Sequence, residues 1–233
     1  MIRRLFRPLV YRLRQLHPWL RERRALKRLY AHPGVSRQAR IIGAERIVLG
    51  KDVRIHPFAT IDCRKDPFLG DDSLGDSQVV LEEGTTICSH AMLLPYGGRI
   101  ALGKNCSVNP YTILYGHGGL TIGKDTRIAA HTVIVPANHV FSDPHRPICT
   151  QGVTAEGIVL GSDIWIGAHV TILDGVTLGD GSVVAAQSVV TRSFSPYSVI
   201  AGVPARILKE RGEQSPSLLK MDVFDGIRQG AGL

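Results

Sequence analysis

Polar side chains suited to acid–base chemistry are concentrated in one short stretch of this 233-residue chain. Between Ile134 and Leu160 the stretch contains Asn138, His139, Asp143, His145 and Arg146. Histidine has an unperturbed pKa near neutral pH, so it is the residue best suited to act there as a general base. Binding and catalytic residues are often carried on loops over a rigid scaffold. We therefore expect a functional loop in this stretch.

The cysteines indicate neither a zinc site nor a disulfide framework. The four of them are scattered without CxxC spacing, at Cys63, Cys88, Cys106 and Cys149. Structural zinc usually uses paired cysteines, and disulfide frameworks belong to small secreted chains. We expect no bound metal and reduced thiols, as in a cytosolic protein.

The candidate loop interrupts a repeat of aliphatic residues spaced six apart. The repeat comprises Leu49/Ile55/Ile61, Leu81/Ile87/Leu93, Leu102/Val108/Leu114, Ile122/Ile128/Ile134 and Leu160/Ile166/Ile172/Leu178/Val184/Val190. Neither an α-helix nor a hairpin sheet needs this period. A coil of three short parallel strands does, because each strand and its corner use one hexapeptide. These eighteen residues predict an all-β, parallel β-helix of about six coils with the aliphatics inside.

Two further positions follow the same period. Small or β-branched residues stand two places before most of the aliphatics, for example Val53, Thr85 and Ser182. They are expected to fill narrow corners. Glycine often comes directly after the aliphatic residue, at Gly50, Gly103, Gly123, Gly161, Gly167 and Gly179. There we expect a tight turn with dihedral angles that only glycine tolerates.

The repeat divides the chain into three segments. Residues 1–34 form a basic helical arm, residues 35–206 the β-helix with inserted loops at 62–78 and 136–157, and residues 207–233 a short C-terminal tail. The tail has no six-residue pattern and is interpreted as a short helix or a frayed end.

The net positive charge of the chain lies in the basic arm. Residues 1–30 contain ten Lys/Arg and one acid, whereas the whole chain has a net charge of +8. The arm is amphipathic and contains Trp19, so it is expected either to lie on an anionic membrane surface or to pack its apolar stripe on the β-helix or on another subunit. Nothing downstream resembles a base-reading module, so nucleic acid is not expected as a partner. No signal peptide or membrane-spanning stretch is expected, which predicts a cytoplasmic protein. If the arm lies on a membrane surface, the protein is expected to be peripheral to the inner face of the membrane.

Three motifs give this chain its resemblance to known proteins. They are Ile164–Gly167, Gly175–Asp180 and Ala201–Arg206, which reads AGVPAR. With the histidine in the preceding loop, they resemble the hexapeptide-repeat acyltransferases of the maltose/galactoside O-acetyltransferase-like branch, including sugar O-acetyltransferases of surface-polysaccharide biosynthesis. The resemblance implies a left-handed parallel β-helix, a homotrimer, and acetyl transfer from acetyl-CoA to a hydroxyl of a saccharide or of a lipid-linked sugar.

The resemblance also implies roles for individual residues. His139 matches the family's general base. Its other ring nitrogen is expected to be held by a backbone carbonyl or by a carboxylate, for which Asp143 and Asp174 are candidates. A backbone N–H near Ala168 is the candidate donor to the developing oxyanion. Asn109 matches the family's acceptor-binding asparagine, and His117 stands where the family has an acidic acceptor residue. That departure puts the family's small-sugar acceptors in doubt.

The resemblance places CoA in a groove between subunits. The matching positions are Trp165, Ala168, Ala186, Thr191, Arg192 and Arg206. The two arginines are suited to the 3′-phosphate or the pyrophosphate of CoA.

Other functions remain open at the level of sequence. The chain could transfer longer acyl groups, act on an amine or an antibiotic, or serve as a non-catalytic trimeric scaffold at a membrane. A γ-class carbonic anhydrase shares the scaffold, but no two histidines here stand five apart, as its metal ligands require.

Overall fold

The computed structural model describes residues 18–64 and 77–213, with side chains from Leu20 onward. Among these residues a single α-helix, α1 (Pro18–Ala31), precedes a parallel β-helix with three faces. Predictions for residues 1–17, for most of the 62–78 loop and for the end of the tail fall outside the described residues.

The three faces are visited in turn as the chain winds. The first face contains β1 (Arg40–Ile42), β4 (Thr60–Asp62), β7 (Met92–Leu94), β10 (Ile113–Tyr115), β13 (Val133–Val135), β18 (Thr171–Leu173) and β21 (Val189–Val190). The second contains β2 (Ile47–Leu49), β5 (Gln78–Leu81), β8 (Arg99–Leu102), β11 (Leu120–Ile122), β16 (Ile158–Leu160) and β19 (Thr177–Leu178). The third contains β3 (Arg54–Ile55), β6 (Thr86–Ile87), β9 (Ser107–Val108), β12 (Arg127–Ile128), β17 (Trp165–Ile166), β20 (Val183–Val184), β22 (Ser198–Gly202) and β23 (Ala205–Glu210).

Six coils have a strand on every face, and a seventh is completed by β21, a bridge at Phe194 and β22. Pairing is parallel throughout these faces except between β22 and β23, which form an antiparallel hairpin at the C-terminal end. The hairpin carries β structure to Glu210, four residues past residue 206, where the β-helix was expected to end. The prediction of a β-helix of about six coils is confirmed.

The aliphatic repeat forms the core. Every predicted inward residue is at most 1% exposed except Leu49, which is half-buried. On the third face, Ile55, Ile87, Val108, Ile128 and Ile166 stand in one column, each paired with the next. The sequence missed several buried members of the core, among them Ile41, Phe194 and Ile200, which do not stand six residues from the neighbouring residue of the repeat.

The small residues before the aliphatics are buried, as expected, and their hydroxyls are satisfied. The Thr85 hydroxyl donates to the Gly103 carbonyl at 2.9 Å, and the Thr132 hydroxyl donates to the Gly167 carbonyl at 3.1 Å. A buried hydroxyl without such a partner would be costly. Each coil is therefore tied to the next inside its corner as well as along its strands.

The glycines that follow the aliphatics do not adopt the unusual dihedral angles that were predicted for them. None of the six has a positive φ. Glycine is needed because the next coil passes too close: a Cβ on Gly103 would lie 2.7 Å from the Lys124 nitrogen, and one on Gly167 would lie 2.5 Å from the Ala186 nitrogen. The left-handed conformation occurs two positions later, for example at Asp52 (φ 56°), His90 (62°) and Asn105 (55°).

The left-handed positions at the corner between the third and first faces carry a column of rings. Phe58, His90, Tyr111, His131 and His169 stack in that order, with neighbouring centroids 4.8–5.3 Å apart. All five are exposed. We refer to them as the ring column.

Helix α1 begins at Pro18, as expected for a proline in the first turn, and ends before Pro33 and Gly34. Its apolar side packs on the first coil through the buried Ala25 and Leu29. The Tyr30 hydroxyl donates to the Ala39 carbonyl at 2.7 Å. Of the two expectations for the basic arm, packing on the β-helix holds for the apolar side of this helix.

No helix in the described ranges has the length and apolar character needed to cross a membrane.

Candidate active site

His139 lies on a protruding hairpin. It belongs to β14 (Asn138–His139), which pairs antiparallel with β15 (Val153–Thr154) between β13 and β16. The side chain is exposed, and within residues 18–64 and 77–213 its imidazole forms no hydrogen bond. The loop therefore presents an imidazole that is open to a ligand.

The loop is held by hydrogen bonds that do not involve His139. Gln151 accepts from the Asp143 nitrogen at 3.0 Å and donates to the Asp143 carbonyl at 2.8 Å. At the end of the loop, the Asp174 carboxylate accepts from the nitrogens of Glu156 (3.0 Å) and Gly157 (2.9 Å). Neither Asp143 nor Asp174 holds the imidazole in this structure: the Asp143 carboxylate accepts from the His145 nitrogen at 2.9 Å, and the Asp174 carboxylate accepts from the two nitrogens named above.

Asn109 lies at the corner between the third and first faces, directly after β9. Its nitrogen donates to the Ile128 carbonyl at 3.0 Å, which fixes the backbone. Its side-chain oxygen accepts from the Cys88 thiol at 3.6 Å, and the residue is half-buried. The amide is thus positioned by the scaffold and still reachable.

His117 lies at a different corner, between the first and second faces. Its ring stands 5.2 Å from that of Tyr96 and 5.8 Å from that of Tyr115. The next residue, Gly118, donates to the Pro136 carbonyl at 3.1 Å, where the His139 loop leaves the coil. His117 and the base of the His139 loop therefore share one corner.

One chain does not bring all the candidate residues together. Asn109 precedes β10, whereas His117 follows β10 and His139 follows β13. Strands of the first face are three residues long at this point, or about 10 Å. Asn109 and the His139 loop consequently lie at opposite ends of the first-face strands.

Four of the six predicted cofactor-binding residues lie on the third face or in the corner between the third and first faces, the corner that contains Asn109. Trp165 projects outward from β17 and is 57% exposed. Ala168 and Ala186 lie in the corner beyond, one coil apart, since Gln187 donates to the Ala168 carbonyl at 2.9 Å. Arg206 is on β23, at the end of the third face, and is exposed.

Thr191 and Arg192 lie elsewhere, at the corner after β21. Both are exposed, and the Arg192 guanidinium lies 5.3 Å from the centre of the Phe194 ring. The structure thus separates the predicted cofactor residues into a group of four and a pair.

The Ala168 corner also offers a backbone donor. Among the described residues, the Ala168 N–H has no hydrogen-bond partner, although its carbonyl does. A free N–H at a rigid corner is suited to stabilise negative charge on a bound group.

The sequence missed Tyr111, which stands two residues after Asn109 with its ring in the ring column and is 51% exposed. Its place three positions after Val108 is the signal that could have marked it as a corner residue pointing outward.

Three of the four thiols are buried or half-buried, and the fourth, Cys149, is exposed on the loop that carries His139. All four cysteines are free, and burial raises the pKa of Cys63 to about 12. Burial also raises the pKa values of Cys88 and Cys106. In the described ranges no three His, Cys, Asp or Glu side chains are grouped so as to hold a metal ion.

Comparison with known proteins identifies the family. A family model for the bacterial transferase hexapeptide (six repeats) matches residues 157–192. A putative lipopolysaccharide biosynthesis O-acetyl transferase of Escherichia coli is 36% identical over 51% of this chain and 64% of that protein. Galactoside O-acetyltransferase of the same species is 35% identical over 49% of this chain and 56% of that protein.

A solved structure agrees with these relatives. A hexapeptide-repeat-containing acetyltransferase of Vibrio cholerae, in complex with acetyl-CoA, has a TM-score of 0.52 and 30% identity, covering 57% of this chain and 70% of that one. The fold is that of the left-handed β-helix transferases, and this chain belongs to the hexapeptide-repeat acetyltransferase family. It spans less than two thirds of the length of the two curated relatives.

Proposed function

We propose that this protein is an O-acetyltransferase that transfers acetyl from acetyl-CoA to a hydroxyl of a saccharide or glycoconjugate. The observation that carries the proposal is the exposed imidazole of His139 on an anchored loop of a fold that belongs to this family. The names of the two curated relatives support an oxygen acceptor on a sugar.

The proposed reaction is a direct attack. The His139 imidazole accepts the proton of the acceptor hydroxyl while that oxygen attacks the thioester carbonyl carbon. The Ala168 N–H donates to the oxygen that becomes negative. When the intermediate collapses, the carbon–sulfur bond breaks and the imidazolium returns the proton to the CoA thiolate. The products are an acetyl ester and CoA, with no covalent enzyme intermediate.

Asn109, and His117 from its own corner, are proposed to hold the acceptor. Trp165, Ala168, Ala186, Thr191, Arg192 and Arg206 are proposed to contact acetyl-CoA. The two arginines would take its phosphate groups, because a guanidinium binds such groups through paired hydrogen bonds.

We propose a homotrimer in which each site lies between two chains. The support is the separation of Asn109 and His139 at opposite ends of the first face. A neighbouring chain that packs beside the Asn109 corner would supply the missing imidazole. Closed cyclic symmetry repeats such a contact without leaving an open end.

The acceptor is proposed to be membrane-associated, such as a lipid-linked sugar in polysaccharide biosynthesis. The support is the excess of nine positive charges in residues 1–30, which suits an anionic membrane surface at the cytoplasmic side.

The test is acetyl-CoA-dependent thiol release with a panel of saccharides that includes galactosides and an amino sugar. His139→Ala is expected to lower kcat by at least about a hundredfold, since general-base catalysis contributes about that much or more. His145→Ala, a loop histidine six positions away that is also exposed, is the matched control and should retain activity. Full activity of His139→Ala would contradict the proposed mechanism, and acetylation of the amino sugar alone would contradict an oxygen acceptor.

A further inference from the structure

An arginine-lined cleft lies at the seam between α1 and the first coil, away from the candidate active site. It has a volume of about 640 Å³ and is lined by Arg21, Arg24, Arg28, Glu45 and Arg46. The three helix arginines recur at steps of three and four residues, so they share one side of α1. Four cations and one carboxylate give this cleft a formal charge of +3.

Within the described residues, the helix arginines are not neutralised by an acid. Arg21, Arg24 and Arg28 form no ion pair or hydrogen bond there. The fourth arginine is held in place: Arg46 donates to the Cys63 carbonyl at 3.2 Å and lies 3.7 Å from the Glu45 carboxylate. Four guanidinium groups gathered around a single carboxylate favour an anion with several oxygens.

A second cavity, lined by both apolar and polar side chains, adjoins the cleft and shares Arg28 and Glu45 with it. Its volume is about 310 Å³, and its other lining residues are Ala25, Leu29, His32, Ala44, Ile47 and Leu49. Leu49, alone among the predicted inward aliphatics, is half-buried, and it lines this cavity. The apolar part of this lining, next to its charged groups, suits a molecule that has both an apolar and a charged portion.

We propose that this seam binds a lipid phosphate, an amphiphile with a phosphate head and an aliphatic tail. The guanidinium groups of Arg21, Arg24 and Arg28 take the phosphate oxygens, and a guanidinium suits this because it donates in pairs. The first carbons of the tail enter the cavity over Ala44 and Leu49. The head can come from a membrane phospholipid or from a dispersed lipid phosphate, because the two share this chemistry.

The full-length protein is titrated calorimetrically with dihexanoyl phosphatidic acid, below the concentration at which it forms micelles. The variant R24Q/R28Q is expected to bind at least about tenfold more weakly, the effect of losing charged hydrogen bonds. The matched control is K27Q/R37Q, which removes the same charge from exposed positions outside the cleft and should stay within about twofold of wild type. Equal binding by R24Q/R28Q and wild type, or an equal loss in the control, overturns the proposal.

The tail is tested separately with inorganic pyrophosphate and with Ala44→Leu, which fills the cavity. Ala44→Leu should weaken binding of the lipid phosphate and leave pyrophosphate unchanged, with thermal unfolding followed by circular dichroism to verify folding. If wild type binds pyrophosphate as tightly as the lipid phosphate, the tail has no site and the proposal fails.

The source of the head is determined with vesicles of phosphatidylcholine containing phosphatidylglycerol. A loss in R24Q/R28Q with both vesicles and dispersed lipid identifies a bilayer phospholipid. A loss with dispersed lipid alone identifies a lipid phosphate delivered outside the bilayer. No acetyl-CoA is present, so a failure here leaves the proposed acetyl transfer untouched, and His139→Ala should bind the lipid normally.

Discussion

At the scale of single residues, burial separates the four thiols of the chain. Cys63 and Cys106 are at most 2% exposed, Cys88 is half-buried and Cys149 is exposed on the loop that carries His139. Burial raises the pKa of Cys63 to about 12, and it raises the pKa of Cys88 and of Cys106 as well. The thiolate is the reactive form, so these three thiols should be unreactive in the folded protein.

We expect one fast-reacting thiol per folded chain with dithiobis-nitrobenzoate near pH 8, and four after denaturation. Cys149→Ser should abolish the fast reaction while leaving three thiols in the denatured chain. A fast thiol that persists in Cys149→Ser would contradict this expectation and show that a second thiol, such as the half-buried Cys88, is reactive in the native state.

Residue types and motifs in the sequence predicted only part of the candidate site. His139 and Asn109 could be proposed from their motifs, and both are accessible in the structure. The pairing of His117 with Tyr96 and Tyr115 could not, because it depends on successive coils stacking at one corner. The arginine-lined cleft was also missed, since it needs Arg46 to meet a helix some twenty residues earlier.

At the scale of elements, two kinds of glycine meet different demands. Gly103 has no room for a Cβ, which would lie 2.7 Å from the Lys124 nitrogen of the next coil. Gly84 has room, with Asn105 at 3.8 Å, but adopts a φ of 72°. Asn105 itself takes the same left-handed conformation with φ 55°.

Gly103→Ala is therefore expected to lower the free energy of unfolding by about 1–3 kcal/mol, the usual cost of forcing extra atoms into a packed site. Gly84→Asn should change it by less than about 1 kcal/mol, because asparagine tolerates the left-handed region. Thermal or chemical unfolding of both variants measures this. A larger loss in Gly84→Asn than in Gly103→Ala would mean that backbone conformation, not coil spacing, limits the corner.

The strands were predictable from the sequence because their inward aliphatic residues stack in columns and therefore recur every six residues. One inward aliphatic per hexapeptide is enough to place every coil from the second to the sixth. The sign of φ at each corner was assigned to the wrong residue, since the glycine pattern records close approach between coils, a property that one coil in isolation does not have.

At the scale of the whole molecule, the proposed shared site makes a test with mixed subunits possible. His139→Ala and Asn109→Ala chains should each be inactive alone. When they are co-expressed with different tags and mixed trimers are isolated, one of the three interfaces joins an intact Asn109 to an intact His139. About one third of wild-type activity is then expected.

Acetyl-CoA-dependent thiol release from the doubly purified mixture measures this recovery. Co-expression of His139→Ala with His139→Ala under the same two tags is the control and should stay inactive. Absence of recovery in mixed trimers would place both residues of each site within one chain.

The two ends of the β-helix differ from its middle. Stacked parallel coils leave unpaired backbone groups at each end, and such edges can template growth into a fibre. Here α1 occupies the first coil, with its Glu22 carboxylate accepting from the Gly43 nitrogen at 3.1 Å, while β23 runs antiparallel along the outer edge of β22. Because one end is covered by a helix and the other by an antiparallel strand, a second molecule cannot extend the stack of parallel coils at these ends. These two ends leave the sides of the β-helix for contact between chains, which is where the proposed trimer needs it.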